Sequence, residues 1–416
     1  MLLVSLLRIL LTRSFRPFFF EGRSGTLPEY DALENLGLYV HIPFCRSLCG
    51  FCPYCKEIYD TGKAEAYRKA LIKEIDLVCA DRAKKSVNSL YFGGGTPALM
   101  IDDLKSIIEK LKQYFTIDGG IGVELHPDDI SEVTLEKLKA AGVTMVSIGI
   151  QSFDADCLAK LGRRSDGIFE KLKLVRDARF EIVDMDLIFA IPGQTNEKLA
   201  HDISTAFGQG ATQVSTYPFI DFTFAKNIYK PMNAKVKKRM LRSMAEFCRS
   251  IGTERTSVWT FGRKGTGKYS SVTRSAFLGF GVSAATLLQN CFKINTFSID
   301  AYIERITEGF LPTSLTLDFT KRQRAAYYLF WSAYAMRIDS SKFEKMIGSP
   351  LQKMYRFELF AAEKLGYLRK IDCGYELTEK ASYLYHDIEQ VYTTAYIDKM
   401  WNVSRLQAFP SKIVLR

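Results

Sequence analysis

Four of the nine cysteines in this 416-residue chain fall within eleven positions: Cys45, Cys49, Cys52 and Cys55. Thiolates at the spacing Cys45-x3-Cys49-x2-Cys52 can each ligate one iron of a cubane cluster, leaving the fourth iron open to another ligand. With Cys55 added, the same loop could instead enclose one zinc ion in four tetrahedral sulfurs. On spacing alone both readings stay open. The other five cysteines (Cys79, Cys157, Cys248, Cys291, Cys373) are scattered without pairing spacing. That is not the framework of a small secreted disulfide protein, and a dense cluster in a long chain suggests metal in a reducing cytosol.

Further candidates follow at intervals. Gly93-Gly94-Gly95 allows close backbone approach to a ligand because no Cβ intervenes. Glu124 and Asp186 end strand-like runs, where carboxylates can accept hydrogen bonds from hydroxyl or amino groups. Gln151 and Arg163 could hold a carboxylate, the arginine through its two-pronged donor fork. His41 reads as a structural hydrogen-bonding residue, and His126, His201 and His386 belong to no constellation.

The elements that must position these residues alternate. Strand-like runs at 36–41, 89–92, 122–125, 145–150, 182–189 and 213–217 are separated by helix-like stretches at 63–80, 102–114, 135–141, 167–178 and 197–207. Repeated strand–helix units predict an α/β fold with a parallel sheet, here an open or partial barrel whose chemistry lies at the C-terminal ends of the strands. The cysteine loop follows the first strand and the triple glycine follows the second, so both reach one rim. Beyond 318 the chain turns helical and aromatic-rich, with a short hairpin near 367–377, predicting a small helical or winged-helix-like domain.

Composition is ordinary for a globular chain: 47% hydrophobic, 25% charged, net charge +11. That mild excess fits an anionic substrate, an acidic membrane surface, nucleic acid or a merely solvated basic face, and does not choose among them. The first twenty residues have no acid. On a helix, Ser5, Arg8, Thr12 and Arg16 share one polar stripe against a surface of Leu, Ile, Val and Phe. The apolar stretch is too short to span a bilayer and lacks a signal cleavage site. The two readings are a helix lying in a membrane interface and a helix docked on its own protein.

The stretch LYVHIPFCRSLCGFC, ending at Cys52, resembles the signature of the oxygen-independent coproporphyrinogen III oxidase family of radical S-adenosylmethionine (SAM) enzymes. The similarity continues in order through YFGGGTP at 91–97, GVELHP at 122–127, SIGIQSF at 147–153 with Arg163 beyond it, DLIFAIPGQT at 186–195, LGFG at 278–281 and GYELTEKA at 374–381. The resemblance implies a partial (β/α)6 radical SAM barrel over 31–300, preceded by the basic segment 1–30 and followed by a small C-terminal domain over 315–416. It implies a 4Fe–4S cluster on Cys45, Cys49 and Cys52, and one or two SAM molecules. Tyr39, Gly94 and Glu124 would face the cluster-bound SAM; Phe51, Gly95, Thr96, Gln151, Arg163 and Asp186 would face the second. The reduced cluster would break the C5′–S bond of SAM, and the resulting radical would take hydrogen from a substrate.

The chain departs from the oxidases in its short, greasy N-terminus and in Cys55, three residues after Cys52 rather than two. It lacks the His-Asn…Tyr-Trp signature of related heme chaperones, reading SVWTFGRKGTGKYS at 257–270. These departures lead us to expect methyl transfer of the class C type to a flat lipophilic substrate, a quinone such as menaquinone or a tetrapyrrole. Coproporphyrinogen-type oxidation and heme carriage are the alternatives. Cys55 is the candidate catalytic thiol. A flavodoxin- or ferredoxin-type electron donor is expected, no nucleic acid, and a cytoplasmic location with peripheral contact at the inner face of the membrane through residues 1–20.

Overall fold

The computed structural model describes residues 2–23, 26–164, 166–225, 227–267, 269 and 275–416. Met1, Ser24 and Gly25 of the N-terminal segment, and Lys268 and Ser270 of the 257–270 stretch, lie outside the described residues.

Six parallel strands form the centre of the molecule: β1 (Leu36–Ile42), β2 (Leu90–Gly94), β3 (Ile121–Leu125), β4 (Met145–Gln151), β5 (Ile182–Phe189) and β6 (Gln213–Pro218). They pair in sequence order, each parallel to the next. Helices α1 (Thr61–Cys79), α2 (Ile101–Tyr114), α3 (Glu132–Ala140), α4 (Ile168–Ala178) and α5 (Asn196–Gly208) make the crossovers, and α6 (Ala234–Ser250) follows β6. Covered on both faces, the strands read as near-continuous apolar runs, as parallel strands must; β1 is buried at six of its seven positions. The helices bury one stripe each: α2 turns Leu104, Ile107, Ile108 and Leu111 inward at three- and four-residue steps. Their starts are fixed by side-chain caps, Asp60 on Lys63 N–H, Ser131 on Thr134 N–H and Thr195 on Lys198 N–H. The fold is therefore the expected α/β architecture built on a parallel sheet.

The sheet remains open and continues past both ends. Beyond β6 lie the antiparallel strands Thr260–Gly262 and Glu254–Arg255. Beyond β1 lies β7 (Ala276–Phe280), parallel to it, then antiparallel Ala285–Leu287, Cys291–Asn295 and Thr313–Asp318. Phe18–Glu21 and Lys412–Leu415 complete that edge, so the two termini share a ladder. The C-terminal region forms helices Lys321–Tyr334, Ser340–Ile347 and Leu351–Lys364, and a three-stranded sheet containing the hairpin Leu368–Ile371/Gly374–Leu377.

Of the two readings of the N-terminal stretch, contact with its own protein is observed. Residues Leu2–Thr12 are helical, and the middle of the polar stripe faces inward: Arg8 and Thr12 are buried, whereas Arg16, beyond the helix, and Leu6 and Leu10 are exposed. The Arg8 guanidinium donates to the carbonyls of Ser14 and Arg16, and Thr12 Oγ to Arg8 O at 2.7 Å. The chain turns immediately after the helix, where Arg13 takes a φ of 50°, and these polar groups satisfy the carbonyls freed by that turn. Among the described residues no helix is long and apolar enough to cross a membrane.

Candidate active site

Because the six strands are parallel, their C-terminal ends share one rim. There the chain leaves β1 through Pro43 into the loop 43–56, pinned by two short parallel segments, Phe44–Cys45 and Glu57–Ile58. Thr96 N–H donates to Phe44 O and Gly95 N–H to Ile42 O, both at 2.7 Å, which ties the glycine turn after β2 to the base of the cysteine loop. A Cβ on Gly95 would lie 2.5 Å from Phe44 O, and Gly94 has a φ of 115° with the His41 ring 2.5 Å from its would-be Cβ. Glycine is required at both positions.

Cys45, Cys49 and Cys52 are partly exposed on this loop. Burial pushes the Cys45 thiol up to about 11, with Thr96 Oγ at 3.9 Å from its sulfur drawing it back. Arg163 Nε donates to Cys49 Sγ at 3.0 Å, and Lys56 Nζ donates to the carbonyls of Cys49 (2.9 Å) and Cys52 (2.7 Å). Cys55 is turned away. It is buried, its thiol donates to Phe297 O at 3.2 Å, and burial pushes it up to about 11.

This donor set suits a cluster with three protein ligands. A tetrahedral zinc site needs sulfurs converging at about 2.3 Å on one point. Here the fourth sulfur, Cys55, is engaged with Phe297 O instead. Three thiols on one loop with Arg163 and Lys56 beside them fit an anionic cubane, in which each sulfur binds a different iron.

The expected SAM-facing residues fall into two groups. Glu124, near the end of β3, accepts from Gly94 N–H at 3.0 Å and from the Tyr91 hydroxyl at 3.1 Å. Burial raises its carboxyl above the usual range, and those two hydrogen bonds pull it part of the way back. Tyr39 donates to Nδ1 of His41 at 3.0 Å, and Nε2 of His41 donates to Cys55 O at 2.9 Å. Burial holds His41 down to about 4, so it is a neutral strut from β1 to the cysteine loop, as its structural reading expects.

The second group lies across the rim. Arg163 packs over the Phe51 ring at 5.8 Å. Gln151 has a φ of 70°, and its side-chain amide crowds Gly149, where a Cβ would lie 2.9 Å away. Asp186 on β5 accepts from Ser147 Oγ at 2.8 Å; burial, then the charge of Asp184, raises its carboxyl well above the usual range. Buried acids in this state suit partners that bring their own donors, as amines and ribose hydroxyls do.

Sequence reasoning missed several neighbours. His126 is in contact with Arg163, so it belongs to the site after all. Its position after GVEL on the rim was the available signal. Trp401 and Arg405 also reach the cysteine loop, at Tyr54 and Pro53, from a helix some 350 residues away, and no local pattern announces them. A cavity of 860 Å³ opens elsewhere, lined in part by Asn88, Arg324, Tyr327 and Trp331. None of the candidate residues lines it, so converging side chains rather than cavity size locate the site.

The sequence pattern of the radical SAM superfamily matches residues 39–206. Over 369 residues the chain is 25% identical to the heme chaperone HemW of Bacillus subtilis (strain 168), covering 84% of this chain and 97% of that one. It is 24% identical to the oxygen-independent coproporphyrinogen III oxidase of Paracoccus denitrificans (strain Pd 1222), over 70% of each. The solved coproporphyrinogen III oxidase (HemN) of Escherichia coli has the same fold, with a TM-score of 0.73 at 24% identity over 87% of this chain and 91% of that one. The cofactors of this domain are a 4Fe–4S cluster and SAM, for which the three thiols and the Gly94–Glu124 pair are suited. The chain carries a radical SAM domain over residues 39–206, and its homologues include heme chaperones and oxygen-independent coproporphyrinogen III oxidases.

Proposed function

We propose that this radical SAM enzyme oxidises a porphyrin-type substrate at the C-terminal rim of the barrel, in the manner of coproporphyrinogen oxidation. What carries the reading is the likeness to the oxygen-independent coproporphyrinogen III oxidases, together with a rim on which Arg163 meets both Cys49 and the Phe51 ring. The chemistry available when cluster and SAM are bound is reductive cleavage of SAM followed by hydrogen abstraction. Cys45, Cys49 and Cys52 would hold the cluster. Glu124 and the Gly94 backbone would orient one SAM, and Arg163 would orient the second. Tyr39 and Tyr91, stacked at 6.5 Å, help wall the interior from water. The net charge of +11 suits a substrate bearing carboxylates.

The expectation of methyl transfer to a quinone finds no support in the relatives; porphyrin oxidation or heme handling fits them better. Heme carriage is the second reading, favoured by the end-to-end match to the Bacillus chaperone. Anaerobic turnover of reconstituted protein with coproporphyrinogen separates the three. Substrate-dependent 5′-deoxyadenosine with loss of carbon dioxide supports oxidation. S-adenosylhomocysteine beside it would restore methyl transfer. Stoichiometric heme binding without either product favours the chaperone.

The surface partner we propose is an anionic bilayer. Leu6, Leu10 and Phe15 (85%) are exposed on the N-terminal segment. The end of its helix meets helix Leu351–Lys364, where Tyr355 donates to Leu11 O at 2.9 Å, and that helix exposes Phe357 (76%) and Phe360 among Lys353 and Arg356. The Arg13–Glu358 pair at 2.7 Å joins the two elements. Exposed aromatics among basic residues suit an anionic lipid interface. Phe15→Ser with Phe357→Ser should abolish sedimentation with phosphatidylserine vesicles; unchanged sedimentation, or none by the parent, would discard this partner.

A further inference from the structure

Helix Asp398–Leu406 lies far along the chain from every motif described above, yet its last turn reaches the cysteine loop. Arg405 Nη2 donates to Pro53 O at 2.5 Å, one residue beyond Cys52. Its guanidinium is held over the ring of Phe224 at 4.5 Å and near that of Phe297 at 5.7 Å. Phe297 is the residue whose carbonyl receives the Cys55 thiol. One turn earlier, Trp401 packs against Tyr54 at 5.9 Å and Phe222 at 6.1 Å. Arg405 is thus fixed in an aromatic cage behind the cysteines.

Two features are unusual. Among the described residues no carboxylate lies within ion-pair distance of Arg405, and its buried Nε has no hydrogen-bond partner. Burying a cation without a counter-charge is costly, and an arginine does not relieve the cost by losing its proton. The loop it grips is the one that carries the ligands: Pro53, whose carbonyl it holds, is the neighbour of Cys52. A cubane held by three thiolates is anionic and becomes more so by one charge on accepting an electron. Lys56 and Arg163 face the same loop, but each hydrogen-bonds a ligand residue itself and belongs to the ligand-binding rim.

We propose that Arg405 is a tuning residue for the cluster: its fixed charge raises the reduction potential and favours one-electron reduction by an external donor, without contact to SAM or substrate. The inference rests on the cluster assigned to Cys45, Cys49 and Cys52. Iron and sulfide analysis tests that assignment separately from the potential.

The test is a redox titration of the reconstituted full chain, with dithionite as electron source, mediators and no SAM, followed by electron paramagnetic resonance. Arg405→Met, loaded to the parent's iron content, should be harder to reduce. At the parent's midpoint its ratio of reduced to oxidised cluster should fall about tenfold, equivalent to about 59 mV for a one-electron couple. Arg405→Lys should stay close to the parent. An unchanged midpoint in Arg405→Met, or the same drop in Arg405→Lys, would overturn the proposal. Arg405→Gln, which can still donate to Pro53 O, carries the same expectation should the Met variant load poorly. Failure of both neutral variants to bind iron would also overturn it, because the arginine would then serve to hold the loop.

Discussion

Arg163 places its Nε 3.0 Å from Cys49 Sγ, joining the segment after β4 to the cysteine loop across 114 positions of sequence. Charge-assisted hydrogen bonds contribute roughly 1.5–3 kcal/mol. If the contact positions the reacting partners, Arg163→Ala should slow 5′-deoxyadenosine formation by about 10- to 100-fold, with iron content unchanged. Arg163→Lys should recover little of this, since one ammonium cannot reproduce the fork. Full activity in either variant would place Arg163 outside the reaction.

The Glu124–Gly94 pair gives a binding prediction. Glu124→Gln keeps the shape but replaces one acceptor with a donor facing Gly94 N–H or Tyr91 OH. SAM affinity, followed by equilibrium dialysis of the cluster-loaded protein, should weaken by about tenfold, for roughly 1.4 kcal/mol. Unchanged affinity would remove Glu124 from the SAM contacts.

Gly94 yields a stability prediction that needs no cofactor. With φ at 115° and the His41 ring in the way, Gly94→Ala should cost about 1–3 kcal/mol in denaturant unfolding of the cluster-free chain. A loss below about 0.5 kcal/mol would mean that the turn rearranges freely.

Acid should loosen the molecule through His386. Its Nδ1 accepts from Trp259 Nε1 at 3.2 Å, and burial, then nearby Lys237, Lys238 and Arg255, hold its pKa down to about 3. Below pH 6.5 the unfolded chain takes up a proton that the folded chain refuses until about pH 3. Stability from this group is therefore complete above 6.5 and is lost as pH falls through that window. From pH 7 to 5 the loss is about 2 kcal/mol, at 1.36 kcal/mol per pH unit below 6.5. His386→Gln keeps an acceptor for Trp259 and should flatten the slope. An identical slope in both proteins would assign the acid sensitivity elsewhere.

The parallel strands were legible in the sequence because their burial on both faces leaves near-continuous apolar runs, as in 145–150 of β4. The cysteine triad was legible because ligand spacing is local. Contacts between distant segments were not. The Cys55 thiol meets a carbonyl 242 residues away, which spacing alone could not distinguish from a fourth metal ligand or a catalytic thiol. The polar stripe could not say what Arg8 meets, because the carbonyls it bonds, of Ser14 and Arg16, are brought to it only by the turn after Thr12. Arg405 sits in a helix with no motif, and only tertiary packing carries it to Pro53.

The most direct test of the central claim is anaerobic reconstitution of the chain and of its Cys49→Ala and Cys55→Ala variants, with iron and sulfide counted and the reduced spectrum recorded before and after SAM. The parent and Cys55→Ala should each hold about four irons and change spectrum on adding SAM, while Cys49→Ala should lose the cluster. One zinc bound by all four cysteines, or a reduced cluster whose spectrum ignores SAM, would contradict the account.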